Sequence, residues 1–421
     1  MPIDPEAVRQ ARLKAGLSLA QVAGTELTRQ AVHLIETGKV RPSLRSLRII
    51  ALRLGMPAQA FQLAGDGDAD SAERWASELE RLCDWQRYQE AVEVARGLLA
   101  REEASAAELA IANLYLGRAL VHLGDADEAL RHLRRASRLS QAEDDPWSAA
   151  EAREWEAGAL ALKEDPRAAG VSEDALRRYR SLEPRRPEIE ARMLEHLAAV
   201  LAQQGQFEQA HGRYAEALYV AGPVLDLVRL ARIYHGMSGC HARLGETRRA
   251  IEMASRAVAL YAVENDLRPL PARIDLPRIE NDLGMLLMLD GQVDRAEELF
   301  LSARDRLEAA GMRRLRSYVT LSLADVAQAR GQLDEAVAHV ERAIAFAAEA
   351  DEPMALAVAH QQLGEVRSAR QEHALADAAF DQALAMWTEL GLTAQKDECQ
   401  TAYQRALDAR DEAARLERFA G

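Results

Sequence analysis

In the stretch TRQAVHLIETGKVRPSL, residues 28–44, four side chains (Arg29, His33, Lys39 and Arg41) are cationic or donate from a ring nitrogen. Groups of this kind at this density pair with the oxygens of a polyanion. The rest of the chain sets the island apart. The 421 residues carry a formal net charge of -14, yet residues 1–61 hold nine Lys/Arg against four Asp/Glu, a net of +5, which leaves -19 on the remaining 360. A small basic segment on a large acidic chain points to a polyanion partner for that segment alone.

Four short amphipathic helices are predicted to carry the island. Residues 5–16 open on Pro5, place Val8, Ala11, Leu13 and Ala15 near one side and stop at Gly16, a residue free to adopt a left-handed cap. Ser18 can N-cap a second helix with Leu19, Val22 and Ala23 on one face. Thr28 can cap a third with Ala31, Val32 and Ile35 inward, ending at Gly38. Pro42 starts a fourth, through Leu44, Leu47, Ile50, Ala51 and Leu54, stopped by Gly55.

These residues resemble the XRE family, the Cro and phage-repressor type of helix-turn-helix. The matching features are GLS at 16–18, the run from Thr28 to Gly38, and R-P-S-L-x-x-L from Arg41 to Leu47. The resemblance implies that the third helix enters the major groove, with Arg29, Gln30 and His33 reading bases and Ser18, Thr28, Lys39, Arg41 and Arg45 holding phosphates. It also implies that Glu36 locks the helix, paired to a nearby arginine, and does not touch DNA. Two departures stand out: the AGTELT link looks one residue short, and Leu19 replaces a glutamine that touches DNA in many members.

Gly, Asp and Ala dominate LAGDGDADSAER, and residues 63–71 read as a linker. Beyond it the chain repeats. Segments 114–136, 196–217, 236–257, 282–303, 322–343 and 362–383 each have a small residue in a first helix, a turn containing Gly in five of the six, and two alanines seven apart. Ala129, Ala210, Ala250, Ala296, Ala336 and Ala376 mark the register, with a weaker unit at Ala91 and a distorted one at Ala175. These are marks of tetratricopeptide repeats. The expected fold is all-α, a helix-turn-helix bundle of four to five helices followed by a right-handed α-solenoid. The predicted division is residues 1–62 for the head, 63–71 for the linker, 72–392 for an array of about eight helix pairs and 393–421 for a capping helix.

In such an array the first helices line a concave face that usually takes a peptide or protein segment. In register, that face receives Arg192 and Glu195, then Arg232 and His235, Arg278 and Asn281, then Tyr318, Asp325 and Gln328, then Gln361 and Glu365. Three arginines at one repeat position favour carboxylates, and Asn281 could satisfy a peptide's backbone. The competing reading has these arginines paired with neighbouring acids such as Glu195 and Asp282.

Little else suggests chemistry. The chain has no glycine-rich phosphate loop, H-E-x-x-H or G-x-S-x-G, so neither an enzyme nor a cofactor is expected. His235, Cys240 and His241 are the nearest approach to a metal set, but two histidines six apart leave one helical face, and packing is the better account. The basic runs at 177–186 and 313–316 read as helix-terminal charges. Three dispersed cysteines, no signal-peptide core in MPIDPEAVRQ and no long apolar run lead to the expectation of a cytoplasmic protein with no membrane partner.

The combination of head and repeats is similar to the peptide-sensing regulators of the RRNPP type. That resemblance implies a homodimer that binds an operator in double-stranded DNA and answers to a peptide, or another anionic effector, in the repeat groove. The alternative function is a scaffold whose repeats bind a protein partner while the head tethers it to DNA.

Overall fold

The computed structural model describes residues 5–24, 26–40, 42, 44–56, 61, 68–222, 226–267 and 275–420, and every regular element among them is helical. The chain divides into two compact units, residues 1–225 and 226–421.

The first unit opens with α1 (Pro5–Lys14), α2 (Leu19–Ala23), α3 (Arg29–Glu36) and α4 (Leu44–Arg53). The N-caps of α2 and α3 are made by the residues the sequence offers for them. Ser18 and Gln21 form a capping box at α2, and the Thr28 side chain accepts the Ala31 N–H at α3, each cap worth about 1 kcal/mol. Val8, Val22, Val32, Ile35, Leu47, Ile50, Leu54 and Phe61 form one core, so the apolar stripes of all four helices converge as their periodicity predicts.

Four helix pairs follow in the same unit: α5 (Asp68–Asp84) with α6 (Tyr88–Leu99), α7 (Ala106–Leu123) with α8 (Ala126–Ala142), α9 (Pro146–Leu162) with α10 (Ala168–Arg180), and α11 (Pro187–Gln203) with α12 (Phe207–Ala221). Helix α5 begins at Asp68, inside the segment read as a linker; residues 63–67 lie outside the described residues. The first helices pack on one another in order, α5 on α7, α7 on α9 and α9 on α11.

The second unit holds α13 (Leu227–Arg243) with α14 (Thr247–Leu267), α15 (Asp275–Leu289) with α16 (Val293–Ala309), α17 (Arg316–Ala329) with α18 (Leu333–Glu349), α19 (Pro353–Ala369) with α20 (His373–Glu389), and then α21 (Thr393–Ala420). Helix α21 packs on α19 and α20, burying Cys399 and stacking Tyr403 on Phe380.

The repeat register has a steric cause. All six marker alanines are buried, and in three pairs a glycine of the first helix admits a large residue from the second. A Cβ on Gly284 would lie 2.3 Å from the Phe300 ring, one on Gly364 2.7 Å from Phe380, and one on Gly117 2.4 Å from Leu133. Phe300 and Phe380 are fully buried, each contributing on the order of 2 kcal/mol from burial. Both glycines are therefore part of how the pairs close.

The turns show how the sixth marked repeat manages without glycine. Gly205, Gly245, Gly291 and Gly331 take positive φ between the helices of their pairs, and Gln371 does the same at φ 63° where its repeat has no glycine.

Candidate nucleic-acid interface and effector groove

Helix α3 is built to present three side chains. Thr28 stays extended (φ -92°, ψ 148°) while its Oγ1 accepts from Ala31 N at 3.0 Å, so the helix starts at Arg29. Val32, Ile35 and Glu36 turn inward, leaving Arg29, Gln30 and His33 exposed. Residues three and four apart share a helix face, so these three form one patch beside the N-terminus of α3. A guanidinium fork can meet guanine O6 and N7, and a glutamine amide can meet adenine N6 and N7.

Behind the patch, two ion pairs hold the helices. Arg12 donates from Nε to Glu36 Oε1 at 2.6 Å and from Nη2 to Glu36 Oε2 at 2.8 Å, tying α1 to the end of α3 as the resemblance implied. The hydrogen bonds raise the Arg12 pKa further above its ordinary value. The second pair escaped the sequence reading. Arg53 donates from Nη2 to Glu26 at 2.5 Å, and its guanidinium lies over Gly24, where a Cβ would sit 2.2 Å from Nη2. Gly24 has φ 58° and ψ -139°; the short α2–α3 link thus depends on a glycine and on an arginine from α4. Nothing in the local sequence distinguishes Arg53 from the other head cations.

Of the residues expected to hold phosphates, Ser18 and Thr28 are exposed at their caps, and each hydroxyl keeps its proton for donation. Lys39 is exposed just beyond Gly38 (φ 68°), with its N–H bonded to Leu34 O at 2.9 Å. Arg41 and the Arg45 side chain lie outside the described residues. Leu19 packs against the head core. Arg12, Arg53 and Arg48 are committed to Glu36, Glu26 and Asp145, whereas Lys14, Arg29 and Lys39 make no ion pair among the described residues. Pairing therefore concentrates the head's available positive charge.

The groove residues meet different fates. In the first unit, Arg192 is buried, donating to Glu151 at 2.6 Å and lying 3.6 Å from Glu154. Its guanidinium also lies 5.8 Å from the Trp155 ring centroid. Glu154 is hydrogen-bonded to His196, and its carboxyl is held below the ordinary range against its burial by His196 and Arg192. Arg192, expected on the groove face, is thus buried and paired with acids of the repeat stack. Glu195 is buried beside it in α11. The acids that claim Arg192 come from α9, one repeat earlier, and not from the neighbours first considered.

In the second unit, Arg232 is half-buried and engaged, and His235 Nε2 bonds Asp282 at 2.9 Å. Arg278 is exposed, 3.9 Å from Asp275. The three arginines of one register position thus have three environments. A polar row does run across the first helices. Ser322 donates to Asn281 at 2.9 Å, Gln362 donates to Leu321 O at 3.2 Å and to Asp325, and Gln361 donates to Glu365 at 3.1 Å. Tyr318 and Gln328 are partly exposed on α17. Burial first, and then Glu365, push the Asp325 carboxyl up to about 7, although the Gln362 bond favours its charged form.

His235 and His241 have separate carboxylate partners, Asp282 and Glu246, and no metal-ligating cluster occurs among the described residues. In the basic runs Arg178, Arg180, Arg186 and Arg313 all make ion pairs. No helix among the described residues is long and apolar enough to cross a membrane.

Residues 8–61 match the helix-turn-helix family, residues 82–243 the CNOT10 tetratricopeptide repeat domain, and residues 275–349 a tetratricopeptide repeat family. No curated protein matches the sequence. Among solved structures, the fold resembles the apo form of the quorum sensor NprR from B. thuringiensis, with TM-score 0.60 and 14% identity over 91% of this chain and 99% of that one. The apo form of RapI matches with TM-score 0.57 and 14% identity over 81% and 98%. A Rap protein complexed with Competence and Sporulation Factor matches with TM-score 0.52 and 16% identity over 82% and 99%. At these identities the likeness carries the fold alone. The chain therefore consists of an XRE-type helix-turn-helix domain at its N-terminus and tetratricopeptide repeats after it.

Proposed function

We propose that the chain is a sequence-specific DNA-binding regulator. Its head reads duplex DNA through Arg29, Gln30 and His33, and Ser18, Thr28, Lys39, Arg41 and Arg45 set its register on phosphates. The observation that carries this reading is the exposed Arg29–Gln30–His33 patch on the third helix of a matched helix-turn-helix head, in the basic N-terminal segment of an acidic chain. Acting as a homodimer, the protein binds paired half-sites about 34 Å apart or a multiple of that spacing. Its repeats take a peptide or protein segment whose occupancy changes DNA affinity, which requires different affinities for the two states. With Arg192 committed to its own acids, the groove reading rests on Arg278, on the Asn281–Ser322 pair and on the row from Asp325 to Glu365.

The test is selection of DNA from a genomic library by the purified full chain. Enrichment of one sequence, a steep loss of affinity with salt, and loss of the preference in Arg29→Ala with Gln30→Ala are expected. Absence of enrichment at low salt overturns the regulator reading and favours a protein-binding scaffold. Native mass spectrometry of the protein from its own host tests the effector: an empty array that also ignores host peptides overturns the peptide reading.

A further inference from the structure

A cavity of about 520 Å³ lies inside the first unit, where α4 of the head meets the first helices of the repeats. It is separate from the polar row on α15, α17 and α19, and its volume suits a small molecule. Leu52 and Met56 close it from the head, and Ile111, Leu114, Tyr115 and Trp147 supply apolar and aromatic wall from the repeats.

Its charges are unbalanced in a specific way. Five lining residues are acidic and two, Arg48 and Arg186, are basic. Arg48 is held by Asp145, itself one of the five, at 3.1 Å, and Arg186 by Glu188, outside the lining, at 2.7 Å. Glu151 is taken by Arg192. Arg118, also near Glu80, is bound to Asp84 at 2.7 Å. Glu80 is left half-buried on the cavity wall, with no hydrogen bond or ion pair among the described residues. Burial, and then the charge of Glu151, raise its pKa above the ordinary range although the charges of Arg186 and Arg118 oppose the shift; an added cation directly beside it would relieve the remaining cost. A second polar group is also unanswered: Ser140 lines the cavity and is 1% exposed, and its hydroxyl has no hydrogen-bond partner. Buried polar atoms are rarely left so.

We propose that this cavity binds a small organic cation, a protonated amine carrying an aromatic or aliphatic body, with Glu80 as its counter-ion. The ammonium donates to the Glu80 carboxylate, the Ser140 hydroxyl supplies a further polar contact, and Ile111, Leu114, Tyr115 and Trp147 surround the apolar body. An anionic ligand is disfavoured because both lining arginines are already engaged. Such a ligand is opposite in charge to the anionic effector considered for the groove, and its binding does not depend on whether the head binds DNA.

The test is calorimetric titration of the full chain with three probes that share one ring system: tryptamine, N-acetyltryptamine and indole-3-acetate. Saturable one-to-one binding of tryptamine is expected, at least tenfold tighter than either uncharged or anionic relative. Glu80→Gln should remove about tenfold of the tryptamine affinity and leave N-acetyltryptamine unchanged. Ala76→Phe, which fills the cavity from α5, should abolish binding of both. Absence of tryptamine binding, equal binding of the three probes by the unsubstituted protein, or tryptamine binding that survives both substitutions in folded variants would each overturn the proposal. The probe comparison decides the charge preference even if a variant does not fold.

Discussion

Arg12 and Glu36, on the first and third helices of the head, share two hydrogen bonds of 2.6 and 2.8 Å, and the Glu36 side chain is 4% exposed. One buried carboxylate therefore fixes the helix that carries Arg29, Gln30 and His33. Glu36→Ala leaves a guanidinium unpaired in a partly buried site, at a cost of roughly 2–4 kcal/mol. Hydrogen exchange of the full chain should show faster exchange at the α3 amides, with the repeats of the second unit unchanged.

Close packing at Gly284 and Gly364 sets a second expectation. Ala at either position drives a Cβ into Phe300 or Phe380 and should destabilise the second unit by roughly 1–3 kcal/mol. Gly239, within α13, has nothing within 4 Å of the same atom, so Gly239→Ala should stabilise by about 0.5–1 kcal/mol through helix propensity. Ala296→Leu should resemble the first two. Chemical denaturation of the four variants separates sterics from propensity.

The turn at Gln371, at φ 63°, places a side chain where glycine fits without strain. Gln371→Gly should raise stability by about 1 kcal/mol, less whatever the freer unfolded chain gives back. A lower denaturation midpoint would show that the Gln371 side chain contributes more than its backbone strain costs.

Stability of the second unit should also depend on pH through Asp325. Its carboxyl titrates near 7 in the folded chain against an ordinary value of 3.8. Between those values the folded state holds more proton than the unfolded one, so this group's contribution is full below about pH 4 and is lost as pH rises towards and through 7. Asp325→Asn should flatten that part of the profile and add about 1–2 kcal/mol at pH 8, discounted for the side chain's partial exposure. Thermal melts from pH 4 to 8 check the sign.

Much of the architecture was legible because it is encoded over short distances. Caps at Ser18 and Thr28, stops at Gly16, Gly38 and Gly55, and alanines in a repeating register all act within a turn or two of where they stand, and each acts as read. Local periodicity also determines that Val32 and Ile35 pack inward, which is why Arg29, Gln30 and His33 point outward.

Which charges remain available was settled by tertiary structure. The chain has 67 acidic residues to share among its cations, and stacking of helix pairs chooses the partners: Glu151 and Glu154 lie 41 and 38 residues before Arg192, and Glu26 lies 27 before Arg53. Repeat position alone made Arg192, Arg232 and Arg278 look equivalent, yet one is buried, one half-buried and one exposed. The cavity beside Glu80 has the same origin, because its walls come from α4, α5, α7, α8, α9 and α11. Sequence periodicity sets which face of a helix is apolar; only packing sets what that face, and each charge at its margin, finally meets.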